Sequence, residues 1–214
     1  MEIKKSRALL FTVVLLAAAA VIGVRIWCVN QSQLSIPVAH SQMGERVELA
    51  GDFIYDSQEN TSGYSVEVEA AEIMDASEYL KHYGKKSWDE SQIPGGAKGD
   101  VLVLTYNVAN VGNDSGYLDM VMLMAVGASK NSLYKVDNEL WEIAEPSLGD
   151  SAGLVLKENS SYTTHLPFSH NEGPRLFEPM LELENYHRGQ ITDRTFELYV
   201  SNAPTRKAID IQVS

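Results

Sequence analysis

Five histidines, one cysteine and 29 acidic residues are the side chains of this 214-residue chain that could hold a metal or move a proton. His40, His82, His165, His170 and His187 contain no His-Glu-x-x-His spacing, and no pair of cysteines accompanies them, so a structural zinc site is not expected. His165 and His170 flank Pro167, which prevents one helix from aligning them, and they read as surface imidazoles. The carboxylates are scattered. Without an Asp-x-Asx-x-Asx-Gly loop, calcium would need a site assembled from distant loops. Gly112-Asn113-Asp114-Ser115-Gly116 contains the Asp-Ser-Gly of a serine-nucleophile loop but lacks that loop's further Gly and Pro. A hairpin turn accounts for all five residues. No glycine-rich phosphate loop follows a strand. The chain therefore reads as a non-enzyme, with no catalytic residue, cofactor or metal ligand assigned. Asn60-Thr61-Ser62 and Asn159-Ser160-Ser161 match the glycosylation acceptor pattern, which arises often by chance.

One region has the composition of a recognition surface. Tyr79, Tyr83, Lys85, Lys86 and Trp88 gather at the end of an expected helix and the start of a long loop, 85–99. Aromatic residues anchor interfaces, and loops on a rigid scaffold carry recognition. Lys81, Lys85 and Lys86 would form a positive patch there, suited to an anionic polymer or an acidic peptide. The plainer alternative is that the helix covers a sheet edge.

The elements that must position this region are mostly strands. Tyr64, Val66, Val68 and Ala70 alternate with polar residues, and the phase then slips, which predicts a bulge near Ala71. Asp75, with Glu78 three residues on, has the form of a capping box, and Ala76, Tyr79, Leu80 and Tyr83 share one helical face. Gly84 is placed to end that helix in a left-handed conformation. Val101–Val108 is apolar on both faces at its start, the pattern of a central strand. Asn110–Gly116 supplies turn residues and Leu118–Val126 alternates again, so the two runs read as a hairpin. Leu133–Val136, Trp141–Ile143, Ser161–Phe168, Phe196–Val200 and Ala208–Val213 complete the set. Seven to nine short strands with one helix predict an all-β fold, an antiparallel immunoglobulin-like β-sandwich.

Ahead of this domain lies a different segment. Ala8–Val29 contains 22 residues, twelve of them Leu, Ile, Val or Phe, behind Lys4, Lys5 and Arg7. As a helix it would extend roughly 33 Å, one hydrocarbon thickness. Arg25 sits near its end beside Trp27, where it can snorkel to the headgroups. The expectation is a single transmembrane signal anchor, with residues 1–7 as a cytoplasmic basic flank, 30–44 as linker and 45–214 as an extracytoplasmic domain. A cleaved signal peptide is the competing reading, since Ala17–Ala20 offers small residues at a cut site, but the apolar run continues beyond it. Cys28 ends the run without an internal partner.

The chain carries a net charge of −12, and residues 30–214 hold 13 basic and 28 acidic residues, a net −15. That balance excludes nucleic acid as a partner and docking onto anionic lipid, both of which need basic patches.

The order Gly44-Glu45-Arg46-Val47-Glu48-Leu49, Gly63-Tyr64-Ser65-Val66-Glu67-Val68, Glu78-Tyr79 and Tyr83-Gly84 resembles a family of exported bacterial domains of unknown function. Val101–Asn110 is similar to the strand ending in Asn, then a turn, of telokin-like, immunoglobulin-fold bacterial domains. The resemblance spans residues 44–213 and implies an immunoglobulin-like sandwich on a Gram-positive type cell surface. It carries no functional residue with it. The expected role is a non-catalytic binding or adhesion module of the cell envelope, its partner an envelope protein or an anionic wall polymer. The alternatives are an accessory subunit using the span as its interface and an enzyme with a site built from distant acidic residues and histidines.

Overall fold

The structure, a computed structural model, describes residues 2–31, 37–93, 95–129, 132–148, 153–170 and 188–213. His187 and Pro94 lie outside the described residues. The chain forms two units, Met1–Ile36 and Pro37–Ser214.

In the first unit, α1 (Glu2–Gln31) is one helix of 30 residues. All its described side chains, Val13 to Cys28, are exposed, Leu16 at 65% and Trp27 at 64% among them. Among the described residues, no helix is long and apolar enough to cross a membrane. The side chains of Lys4, Lys5, Arg7, residues 8–12 and Val29 lie outside the described residues.

The second unit is mostly β, and strand accounts for 41% of the structure. Its strands are β1 (Val38–Gln42), β2 (Val47–Glu48), β3 (Tyr64–Asp75), β4 (Asp100–Asn110), β5 (Leu118–Asp119), β6 (Met124–Gly127), β7 (Leu133–Val136), β8 (Gly153–Leu154), β9 (Ser160–Ser169), β10 (Thr195–Ser201) and β11 (Arg206–Gln212). Nine of them make one sheet in the order β1-β11-β10-β6-β7-β9-β4-β3-β2, and β5 pairs with β8. β1 runs parallel to β11 and the other pairs are antiparallel. This single mixed sheet is nearly barrel-shaped, where the sequence predicts two facing antiparallel sheets. Alternation marks which face of a strand is buried but not whether the covering face belongs to a second sheet or to the same sheet curled round.

The strongest strand expectation holds. β4 is paired along its length, by β3 on one side and β9 on the other. Leu102, Leu104, Tyr106 and Val108 enter the main core, whereas Val101 and Val103 pack on the opposite face. The bulge expected near Ala71 falls between Val68 and Ala70. The hairpin does not form. The Asp119 carboxylate accepts from Met122 N at 3.2 Å, and the resulting turn divides Leu118–Val126 into β5 and β6. Residues 38–42, read as linker, form β1, an edge strand too exposed to alternate visibly.

The two sheet ends, β1 and β2, are both protected. Gly44 N, just after β1, donates to Val68 O on β3 at 2.9 Å. Lys207 of β11 donates its ammonium to Glu48 O (2.6 Å) and Leu49 O (2.9 Å) and pairs with Asp52 at 2.8 Å. Phe53 bridges to Ala203. These contacts occupy edge groups that would otherwise be open to pairing with another chain.

Two short helices lie on the outer face of β4 where one was expected. They are α2 (Ala76–Tyr83) and α3 (Asn138–Ala144). Asp75 caps α2 by accepting from Ser77 N at 2.8 Å. Gly84 ends it in extended geometry (φ −63°, ψ 119°), not the left-handed form, while its N–H closes on Leu80 O. α3 replaces the strand expected at Trp141–Ile143. Asp137 caps it, accepting from Leu140 N, and Leu140, Trp141 and Ala144 fall on one buried face. Tyr79, Leu80, Leu140 and Ala144 join Val101 and Val103 in a second apolar cluster.

Candidate functional site

The residues singled out in the sequence converge where α2, α3 and the following loop meet β9. Tyr79 is fully buried, and its hydroxyl donates to His165 O at 2.9 Å. Burial, reinforced by the nearby Glu145 carboxylate, raises its ionisation above the ordinary tyrosine range. Tyr79 thus belongs to the scaffold and is closed to a ligand.

Tyr83 is half-buried and stacks on the His165 ring, with centroids 4.1 Å apart and planes 18° from parallel. Its hydroxyl donates to Glu72 Oε1 at 2.8 Å. Burial and that hydrogen bond push its pKa up to about 12. Burial also holds the His165 imidazole below its usual value, against the opposing pull of Glu145 and Glu72.

The lysines are less free than the sequence suggests. Lys85 Nζ lies 2.6 Å from Glu145 Oε2, and Lys86 Nζ lies 3.3 Å from Glu142 Oε1. Both backbone N–H groups donate to Ile143 O, which ties the loop to α3. Trp88 packs partly buried against the α2–α3 cluster. Beside it opens a cleft of about 130 Å³, with Trp88, Ile93 and Ile143 as its apolar wall and Lys86, Asp89, Glu139 and Glu142 as its rim. The structure therefore brings Tyr83, Lys85, Lys86 and Trp88 to one face. Two of the three lysines of the expected positive patch, Lys85 and Lys86, are held in ion pairs with acidic residues at α3.

A second concavity, of about 400 Å³, lies on the outer face of β1, β11, β10 and β6. Glu197 and Asp210 stand directly opposite each other across β10 and β11. Asp210 accepts from Gln42 Nε2 at 3.1 Å and meets His40 Nδ1 at 2.8 Å. Glu197 accepts from the Tyr199 hydroxyl at 2.9 Å. The sequence reading missed this site because His40 and Gln42 fell in the supposed linker. Glu197 and Asp210 looked like the solvated face of ordinary strands.

The other candidate chemistry resolves into scaffolding. Asn113 donates to Asn60 O and Ser62 O and accepts from Ser115 N and Gly116 N, so it holds the Asp114-Ser115-Gly116 segment as a turn. The Glu59 carboxylate is fully buried and accepts from three successive backbone N–H groups, Ile54, Tyr55 and Asp56. His82 and His170 are engaged with the backbone carbonyls of Glu78 and Leu133. Among the described residues, no group of three or more His, Cys, Asp or Glu could hold a metal ion.

No curated protein and no solved structure matches this chain. A family model does match, over residues 38–207, the stretch that runs from β1 into β11. The chain therefore belongs to the DUF5028 family, a domain of unknown function.

Proposed function

We propose that this protein is a non-catalytic binding or adhesion module of the cell envelope, tethered by α1, with its N-terminus cytoplasmic and the β unit outside. The observation that carries the reading is the exposure of Val13 to Cys28 along a 30-residue helix. An apolar run of that kind is disfavoured in water and is satisfied by lipid. The run continues in sequence back to Ala8, and Lys4, Lys5 and Arg7 precede it, which supports the orientation.

The recognition face on this reading is Tyr83, Lys85, Lys86 and Trp88. The pairing of both lysines with Glu142 and Glu145 favours an envelope protein over an anionic wall polymer. An aromatic residue beside a mixed-charge rim is suited to a protein surface. An accessory subunit of a membrane complex is the second reading. It is favoured by the small residues Ala17–Ala20 and Gly23, which permit close helix approach.

Protease treatment of intact cells or protoplasts should digest the β unit, and full protection would reverse the orientation. Recovery of a chain beginning near Val21 would replace the anchor by a cleaved signal. Crosslinking in native membranes separates the two roles. A soluble or wall-bound protein captured by wild type and lost in Trp88→Ala supports the module. A membrane partner retained by Trp88→Ala supports the subunit.

A further inference from the structure

We propose that the groove on β1, β11, β10 and β6 binds a basic side chain, an arginine above all, presented by a partner peptide. The site is separate from the Trp88 face and does not depend on the tether. Three observations converge on it. First, Glu197 and Asp210 are cross-strand neighbours, and like charges directly opposite each other in an antiparallel pair destabilise it. Their surroundings offer only partial compensation. Among the described residues, no lysine or arginine forms an ion pair with either carboxylate. Arg206, on the same strand as Asp210, lies over the Tyr199 ring, 5.6 Å from its centroid, and Lys207 is committed to Asp52.

Second, each carboxylate is positioned without being used up. Asp210 is oriented by His40 and Gln42, and Glu197 by Tyr199. Each retains acceptor capacity, since an ionised carboxylate offers about four lone-pair sites. A planar guanidinium can serve both carboxylates at once through its fork of donors, and an ammonium serves them less well.

Third, the groove is not merely acidic. Val126, directly opposite Glu197 on β6, and the exposed Ala128 contribute apolar lining beside the charged residues, while Phe196 and Ile211 turn into the core. The methylene stem of an arginine would lie on that lining while its head reaches Glu197 and Asp210. This combination distinguishes the groove from the diffuse negative field of a unit with net charge −15.

The test uses full-length protein in neutral detergent and a fluorescently labelled tetra-arginine peptide, read by anisotropy. Saturable binding is expected, with tetra-lysine weaker and with marked loss on raising salt several-fold. Glu197→Gln with Asp210→Asn should weaken binding about tenfold or more, as expected for loss of two charge-assisted contacts. The melting temperature of that variant should hold or rise, because the opposed charges are gone. The control removes the same charge elsewhere, through the exposed Asp114→Asn and Glu158→Gln. Equal weakening in both double variants would mean diffuse attraction and overturn the proposal, as would the absence of saturable binding. Trp88→Ala should leave peptide binding intact, so failure here leaves the proposed module untouched.

Discussion

Arg188 grips Asp137 with two bonds, Nε to Oδ2 at 2.6 Å and Nη2 to Oδ1 at 3.1 Å, and both side chains are fully buried. The same guanidinium donates through Nη1 to Gly96 O at 2.6 Å. Asp137 in turn caps α3. One ion pair thus fastens three distant stretches of chain: the loop that carries Trp88, the start of α3 and the segment leading into β10. Gly99 completes the junction with φ +87°, and a Cβ there would collide with the Arg188 carbonyl.

Breaking this pair should be costly from either side. Arg188→Leu leaves a buried carboxylate with only its cap, and Asp137→Ala leaves a buried guanidinium and an uncapped helix. A loss of about 3–5 kcal/mol is expected for each. Urea unfolding measures it, and a loss below about 1 kcal/mol would show that water reaches the pair.

Core strand β4 yields a second expectation. Leu104 is fully buried and lies between Ala71 on β3 and Leu166 on β9. Leu104→Ala should cost about 2–5 kcal/mol through lost burial and a residual cavity. A cost within about 0.5 kcal/mol, the range for exposed sites, would be inconsistent with this placement.

What the sequence made legible, and what it hid, follows from the range of each signal. β3, β4, β9, β10 and β11 announce themselves because alternation is local and the core-facing residues are large. The Asp75 cap and the Ala76–Tyr83 face are equally local. α3 was hidden because seven residues give barely two turns of periodicity, and Trp141 and Ile143 favour strand by propensity. β1 was hidden because an exposed edge strand buries too little to leave a pattern. The wrapping of nine strands into one sheet depends on which strand neighbours which, and alternation is silent on that. The groove suffers the same fate. Glu197 and Asp210 become a pair only through the β10–β11 register, and His40 joins them only through parallel pairing of β1. Tyr83, Lys85 and Lys86 are neighbours in the sequence at the helix end and loop start, but the acidic partners on α3 required the fold.

Those partners make the two lysines unequal. Glu145 is nearly buried, with 6% of its side chain exposed, while Glu142 is 45% exposed. Lys85→Ala strands a largely desolvated carboxylate and should cost on the order of 1–3 kcal/mol, between the exposed-pair and buried-pair ranges. Lys86→Ala should change stability by less than about 1 kcal/mol. Lys85→Glu should be worse than Lys85→Ala, so binding studies on this face should rest on Trp88 and Lys86. Comparable melting of the two alanine variants would argue that the Lys85–Glu145 pair is solvated.

His165 gives the unit a dependence on acid. Tyr83 covers its ring. Glu72 and Glu69 on β3, Glu145 at the end of α3 and Lys85 in the loop are the charges acting on it. Burial dominates and lowers its pKa from 6.5 in the fold, while the three carboxylates pull the other way. The unfolded chain therefore binds a proton more readily than the folded one. The contribution to stability is complete above pH 6.5 and is lost as pH falls from 6.5 through the folded-state value, where the imidazole must charge beneath Tyr83. His165→Gln removes the titrating group and, with it, this part of the slope, although it also loses the ring stacking at every pH. The comparison to make is the shift in urea midpoint between about pH 7.5 and about pH 5.5 in each protein, because the stacking loss cancels within each one. Wild type should lose more stability over that interval than the variant. Parallel losses in the two proteins would place the acid sensitivity in other groups.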